Sequence, residues 1–505
     1  MKIKSVAVNR FRGYSQRVHL EMEDLRVLVG KNDIGKSTVL EALDLFFNEG
    51  KGCVKIDKED LNKTCLTQGE DCIEIEVEFT ELPSTIVIDT TNQTTLQDEY
   101  LLTSSGTLHI VKKYPGAGKE KVFIRANHPT NQECKDLLQK KNNELKKLLE
   151  DSGLQCADKT KNAELRKAIW GGQSALNLAD IEIEVAKIDA KSIWEQLKSY
   201  MPIYSLFQSD RKNTDSDEEV QDPMRFAVKE ILADPAIQAD LSRIAQTVKT
   251  RLDDVANRTL EKLRELNPAI ANSLNPQLPD TAALKWSEVF RSVAITGDQE
   301  IPINKRGSGV KRLVLISFFR AEAERRQNES TLPDIVYAIE EPETSQHPEH
   351  QRKLTDAIVA LSKSNNAQVL LTTHSPEIVK RLKFENLLLV SDSFSDRISS
   401  IQENELPYPS LNEVNYVAFG EATIEYHNEL YGHIEAQGMM ANYKHGKPTR
   451  NYNRLFDSGA TLLEQKILTE YIRHQIHHPE NSTNSPFTAA ELTESIELMR
   501  DFLKT

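Results

Sequence analysis

The chain has 505 residues, 39% of them hydrophobic and 28% charged, with a formal net charge of −14. That length has room for roughly two to four domains and a large core, and the high charged fraction suggests long solvated helices around a smaller compact body. The negative balance excludes a generally basic protein that coats nucleic acid, leaving only a local basic groove open. No run approaches the ~18 apolar residues of a transmembrane helix, and the N-terminus MKIKSVAVNRF carries no signal-peptide pattern. The expectation is a cytoplasmic protein without a membrane partner. Five cysteines, an odd number with no CxxC pair, indicate neither zinc nor a disulfide framework.

In chain order, MKIKSVAVNRFRGYSQRVHLEME alternates apolar and polar residues and predicts an antiparallel hairpin. Arg12 follows the first strand, where it is either a surface arginine or one turned toward a ligand. DLRVLVGKNDIGKST comes next, and Gly30 to Ser37 fit G-x-x-x-x-G-K-[ST] between a plausible strand and a helix, KSTVLEALDLFF. In that context the glycines let backbone N–H groups cradle phosphates. Lys36 reaches the outer phosphates and the Ser37 hydroxyl holds Mg²⁺. The expected ligand is a nucleoside triphosphate.

Residues 50–70 are polar and loop-like, and DCIEIEVEFTEL is a strand of period two. From about 130 to 200 the chain turns helical and charged, and Leu137, Leu138, Leu145, Leu148 and Leu149 predict an amphipathic arm. MPIYSLFQ is a strand followed by an acidic loop over 213–222 that reads as solvated. A second long helical stretch follows, broken near Pro235. Gly307, Ser308 and Gly309 stand before the apolar helix RLVLISFF, at a helix N-terminus suited to anions or in a plain flexible turn. DIVYAI reads as a buried strand ending in Glu340, Glu341 and Glu343. QVLLTT is another, ending in His374-Ser375-Pro376. In a parallel sheet that edge is where ligands bind, and clustered carboxylates there repel unless a cation or a reaction needs them.

This arrangement resembles the ATP-binding-cassette ATPases of SMC, RecF and OLD type over roughly residues 1–400. The resemblance implies an α/β ABC/SMC-like P-loop head with a helical, coiled-coil-like insertion. Gly30 to Thr38 then stand for the Walker A loop, with Gly30, Asn32, Gly35, Lys36, Ser37, Thr38 and Arg12 at ATP. Ser37 and Glu340 hold Mg²⁺, Glu341 takes the catalytic-base position, ETSQHP looks like the D-loop, and His374 takes the switch position at the γ-phosphate. Gly307, Ser308 and Gly309 stand for the signature, supplied in trans by a second head. Two departures stand out: Glu340 replaces the common Asp, and RGSGVKR replaces LSGGQ. The Q-loop has no clear place, with Asp57 and Asp60 as candidates. The EEPE…HP and THSP wording looks closer to the OLD- and RecF-like ATPases of bacterial defence systems than to transporters. No acidic Toprim pattern follows the head.

On this reading, residues 1–125 and 271–400 form the two halves of the head. A helical insertion spans 126–270, interrupted by a head segment near 201–212, and an all-α tail spans 401–505 after a linker over 401–417. Six of the twelve histidines fall between His427 and His478. Arg473-His474-x-x-x-His478 resembles the R-[N/D/H]-x-x-x-H motif of HEPN-type ribonucleases, which implies His478 as general acid/base and Arg473 at the phosphate. A helical docking tail and a metal pair of His474 with His478 stay open beside it, and Pro479 ends the helix. The resemblance implies a bacterial anti-phage ATPase, similar to the PtuA-type subunit of Septu and retron-linked systems. Its head-to-head dimer, or a higher oligomer, would control a nuclease partner subunit and meet nucleic acid. The alternatives are a self-contained ATP-gated ribonuclease and a RecF/SMC-like DNA clamp.

Overall fold

A computed structural model of the chain describes residues 1–208, most of 228–250 and of 317–328, and 333–504, apart from positions 32–33, 90–91, 133, 345–346, 392–396, 402–409 and 457. The N-terminal alternation builds the expected hairpin: β1 (Lys2–Asn9) pairs antiparallel with β2 (Val18–Glu21), Val6 opposite Leu20. Next come the short β3 (Leu25–Val29), then β4 (Cys72–Thr80), a small hairpin of β5 (Ile86–Asp89) and β6 (Asn92–Thr94), then β7 (Leu108–Pro115), β8 (Lys121–Pro129) and β9 (Leu178–Glu184). One antiparallel sheet has the order β2-β1-β4-β7-β8-β9.

The second sheet carries the chemistry. It joins β10 (Ile203–Gln208), β11 (Ile335–Glu340), β12 (Ala367–Thr373), β3, β13 (Leu387–Val390) and β14 (Ile398–Ser400) in that order. All but the β13–β14 pair are parallel. Its strands read as unbroken apolar runs because both faces are buried. Leu28, Val336, Ala338 and Leu370 face a core shared with the antiparallel sheet and the helix Lys36–Asn48. Val27, Val29, Tyr337, Ile339, Val369 and Leu371 face the opposite way, against Leu354, Ile358 and Leu361 of the helix Pro348–Ser362.

The region 130–200 is not a projecting arm. Asn142–Asp151 and Asn162–Gly171 are short helices that pack on each other, with Cys134, Leu137, Leu145, Leu149, Leu165, Ile169 and Trp170 as their own core, and β9 then joins the sheet edge. Arg166, fully buried, fixes this lobe: it donates twice to Glu99 at 2.7 Å and also contacts Asp189. The helix break expected near Pro235 is present, with the Asp234 carboxylate accepting from the N–H groups of Ala236 and Ile237. Where the described residues resume, Glu230 meets Arg325 and Arg326, and Arg326 donates to the Tyr337 hydroxyl at 3.1 Å. Glu230 and Arg326 thus meet, and Arg326 ties the pair to Tyr337 of β11. The acidic loop 213–222 lies outside the described residues.

The tail departs from the all-α expectation. Helices at Leu411–Phe419, Ile424–Ala436, Met440–Lys444, Leu468–His477 and Ala489–Leu503 surround an antiparallel hairpin of β15 (Thr449–Leu455) and β16 (Thr461–Ile467). Only Tyr452 and Ile467 of its fourteen strand positions are buried, so the strands carry almost no apolar alternation. Among the described residues, no helix is long and apolar enough to cross a membrane.

Candidate active site

Strand order brings the distant motifs to one edge. Val29 pairs with Thr373, Thr372 with Glu340, and Glu340 with Gln208, so the ends of β3, β12, β11 and β10 lie side by side. That is the carboxyl edge where parallel α/β sheets bind ligands.

The loop after β3 needs its glycines. Gly30 has φ 154°, and a Cβ there would fall 2.5 Å from the Val390 carbonyl oxygen and 2.4 Å from Ile34 Cδ1. Gly35 has φ 100° and N-caps the helix Lys36–Asn48 with no side-chain cap, while its carbonyl accepts from the Tyr14 hydroxyl at 2.8 Å. An uncapped helix start presents N–H groups to an anion. Lys36, only 4% exposed, donates through Nζ to the carbonyls of Gly30 (2.9 Å) and Lys31 (2.7 Å), and stands 3.6 Å from Glu341 Oε1. Ser37 is half-buried and Thr38 buried in the first turn. These residues fit a triphosphate: a glycine cradle, an ammonium already over the loop, and a hydroxyl beside it for a divalent cation. Asn32 lies outside the described residues, as do Gly307, Ser308 and Gly309 and the middle of the expected D-loop.

Glu340 ends β11 half-buried, and Glu341 follows in left-handed backbone (φ 37°), held by bonds from its N–H to the Thr372 carbonyl (3.0 Å) and hydroxyl (3.2 Å). Its Oε2 lies 3.2 Å from His374 Nδ1. Lys36, Glu341 and His374 therefore converge.

Beneath them is a residue that sequence reasoning counted only as one of three acids. Glu343, 3% exposed, accepts from the Thr373 hydroxyl at 2.7 Å and from the His374 N–H at 2.8 Å, with His374 Nδ1 at 3.4 Å. Burial raises its pKa, and the bonds from Thr373 and His374 offset that only in part. Its spacing in EEPE, two residues after Glu341, was the available signal.

Arg12 turns toward the helix of the phosphate loop. It donates through Nε to Asp60 at 2.7 Å and pairs with Glu41, which also accepts from Gln208 Nε2 at 3.2 Å. Asp57 and Asp60 build a local capping box, with Asp60 holding Arg12. Gln208, which closes β10 beside Glu340, is the polar side chain that reaches the loop helix; its position as the last residue of a predicted strand was the clue missed.

The tail residues do not meet within one chain. Arg473 lies 4.1 Å from the Tyr431 ring centroid and 3.8 Å from Glu435, whereas His478 caps the helix Leu468–His477 and faces Glu480 at 3.2 Å. His474 stacks on Tyr452 and on His478, and among the described residues no group of three or more His, Cys, Asp or Glu could hold a metal.

Residues 1–379 match the family described as AAA ATPase domain. The OLD nuclease of Thermus scotoductus (strain ATCC 700910 / SA-01) is 26% identical over 155 residues, 31% of this chain and 26% of that protein. Endonuclease GajA of Bacillus cereus (strain VD045) is 21% identical over 396 residues, 77% of this chain and 58% of the relative. The chain thus spans less than two thirds of the length of either relative. An SMC head crystallised with the C-winged helix domain of ScpA is 13% identical, with a TM-score of 0.35 over 80% of this chain and 99% of that one. With the family match covering residues 1–379 of 505 and the phosphate loop in its strand–loop–helix setting, the protein belongs to the AAA ATPase domain family and is a P-loop ATPase.

Proposed function

We propose that this ATPase is the nucleotide-driven control element of a bacterial anti-phage nuclease system, acting through closure of two heads. The observation that carries the reading is the convergence of Lys36, Glu341 and His374 at one sheet edge, the latter two fastened to Glu343 and Thr372. The nuclease half rests on similarity to proteins named OLD nuclease and endonuclease GajA.

In this reading the amides of Gly30 to Thr38 and the Lys36 ammonium bind the phosphates. Arg12 and Gln208 brace the loop helix through Glu41. Mg²⁺, held by the Ser37 hydroxyl and Glu340, would supply charge neutralisation at the phosphates. Glu341, lying between Lys36 and His374, is the general base toward a water. His374 steadies the charge that develops on the transferred group. Gly307, Ser308 and Gly309 of a second head complete the site, so turnover is slow and tied to dimer closure. The closed dimer licenses a nuclease partner subunit to act on nucleic acid.

The test uses Lys36→Ala and Glu341→Gln. Lys36→Ala is expected to weaken ATP binding at least ~10-fold, whereas Glu341→Gln binds ATP, hydrolyses it ~10²-fold more slowly and accumulates as the closed dimer. Phosphate release, sedimentation with ATP, and cleavage of DNA and RNA with the genomic neighbour present would check this. Wild-type hydrolysis by Glu341→Gln, or cleavage indifferent to ATP in every combination, would sink the proposal.

A further inference from the structure

Glu341 holds a backbone conformation that its surroundings must keep in place. Its φ of 37° lies in the left-handed region, which a bulky L-residue seldom adopts. The next residue is Pro342, whose ring pushes the residue before it toward extended backbone. Relaxation to extended backbone would turn the peptide planes on both sides of the Glu341 Cα. The carboxylate, 3.6 Å from Lys36 Nζ and 3.2 Å from His374 Nδ1, would then swing away from both. A sparsely populated conformation of this kind persists only where the surrounding structure over-determines it.

Two threonines supply that hold, one on each side. The parallel ladder between β11 and β12 ends with Glu340 opposite Thr372, and the Glu341 N–H then donates to the carbonyl and the hydroxyl of this same Thr372. On the other side, the Glu341 carbonyl accepts twice from half-buried Thr344, from its N–H at 3.2 Å and its hydroxyl at 3.0 Å. The bond from the Thr344 N–H closes a four-residue turn over 341–344, with Pro342 setting its second position. Glu343, at the third, reaches across to Thr373 and His374. In each pair of bonds to Glu341, the one from the threonine backbone survives a side-chain substitution and the one from the hydroxyl does not.

On the reading of Glu341 as the general base, we infer that Thr344 is a positioning residue for hydrolysis. Its hydroxyl holds the Glu341 peptide so that the carboxylate faces Lys36 and His374, and the Thr372 hydroxyl does the same from the opposite side. Neither threonine takes part in holding phosphate, which is the task of the loop after β3. Loss of either hydroxyl therefore falls on kcat and leaves ATP affinity alone. A displacement of about 1 Å at a reacting group costs up to ~10²-fold, so loosening one hold among several is expected to cost ~10-fold.

The test is steady-state phosphate release and ATP affinity of the full chain in five variants. Thr344→Val keeps the branched shape without the hydroxyl, and Thr344→Ser keeps the hydroxyl. The others are Thr344→Val with Thr372→Val, Glu341→Gln, and Glu341→Gln with Thr344→Val. Thr344→Val is expected to lose ~10-fold in kcat with KM and ATP affinity within ~2-fold, and Thr344→Ser to stay within ~2-fold of the wild type throughout. The double threonine variant loses more than either change alone. Glu341→Gln with Thr344→Val is as slow as Glu341→Gln alone, because no base is left to position. Wild-type kcat in Thr344→Val, an equal loss in Thr344→Ser, or a further ~10-fold loss when Thr344→Val is added to Glu341→Gln would each overturn the role of Thr344. With Glu341→Gln itself slow, those outcomes leave Glu341 as the base. Wild-type hydrolysis by Glu341→Gln would instead remove the base, and the inference with it.

Discussion

Glu343 tethers the loop that carries His374, accepting from the Thr373 hydroxyl and the His374 N–H. A glutamine there keeps one carbonyl acceptor for Thr373 and for the His374 N–H, whereas an alanine leaves both donors unpaired in a buried site, at a cost of about 1–3 kcal/mol each. Glu343→Gln is therefore expected to retain kcat within ~3-fold and Glu343→Ala to lose ~10²-fold, with KM little changed in either. Steady-state phosphate release separates this outcome from simple unfolding, which would leave Glu343→Gln and Glu343→Ala alike. Legibility at this scale follows chain distance. Gly30, Gly35, Lys36 and Ser37 act through their own loop and could be read from spacing. Glu343 and Gln208 act through partners up to 31 and 167 positions away, which no local pattern reveals.

Among the elements, β4 shows how a sheet is fastened by charge. Its Glu76, 3% exposed, accepts from Arg17 (2.9 Å), Arg125 (3.0 Å) and His109 (3.1 Å), so four strands or their connections meet at one carboxylate. Burial works against its ionisation, yet His109, Arg17 and Arg125 together outweigh that and hold its carboxyl well below the usual range. Because the folded pKa is depressed, the unfolded chain binds the extra proton as acid is added. The stabilisation is present above about pH 4.3 and is lost as pH falls toward the folded value. Urea melts at pH 7 and near pH 3 should show the wild type losing more stability than Glu76→Gln, which at pH 7 starts about 2–4 kcal/mol lower. Equal losses would remove the cluster from the account. The same scale shows where patterning misled. Leucines at 137–149 satisfy a free amphipathic arm as well as a helix packed on Leu165 and Trp170, and only the later residues decide between them. β15 and β16 gave no strand signal because water lies against most of their side chains.

For the whole molecule, the tail is fastened beside the nucleotide site, with Val414 and Ala418 packed in the same core as Val369, Leu371 and Ile378. Asn415 donates to the Pro376 carbonyl at 3.5 Å, just past His374, and a Cβ at Gly420 would lie 3.6 Å from Lys31 Cε of the phosphate loop. Within the tail, His427 is buried and meets the Ser495 hydroxyl at 3.1 Å, and Ser495 in turn donates to Thr469 at 2.9 Å. Burial lowers the pKa of His427 to about 4, with the Arg473 charge acting the same way. The unfolded tail binds that proton first, so the contribution is complete above about pH 6.5 and fades as pH falls toward 4. The protection of Ile424–Ala436 against hydrogen exchange, taken relative to the intrinsic rate at each pH, is expected to fall over that window in the wild type, and to do so less in His427→Gln. An identical pH response in both would assign the change to another group.

The central place of β3 also sets an order in time. Its neighbours β12 and β13 lie near the far end of the head, and Arg26 is bonded to the Glu385 carbonyl 359 positions later. At ~5–20 residues per second, a growing chain carries its phosphate loop for roughly 20–70 s before the strands that seat it have been made. Until β12 has been made, LRVLV lacks both of its parallel partners, and for most of the interval neither Glu341 nor His374 exists to face Lys36. Nucleotide capture is therefore expected only after β12 and β13 have been made, late in the synthesis of each molecule.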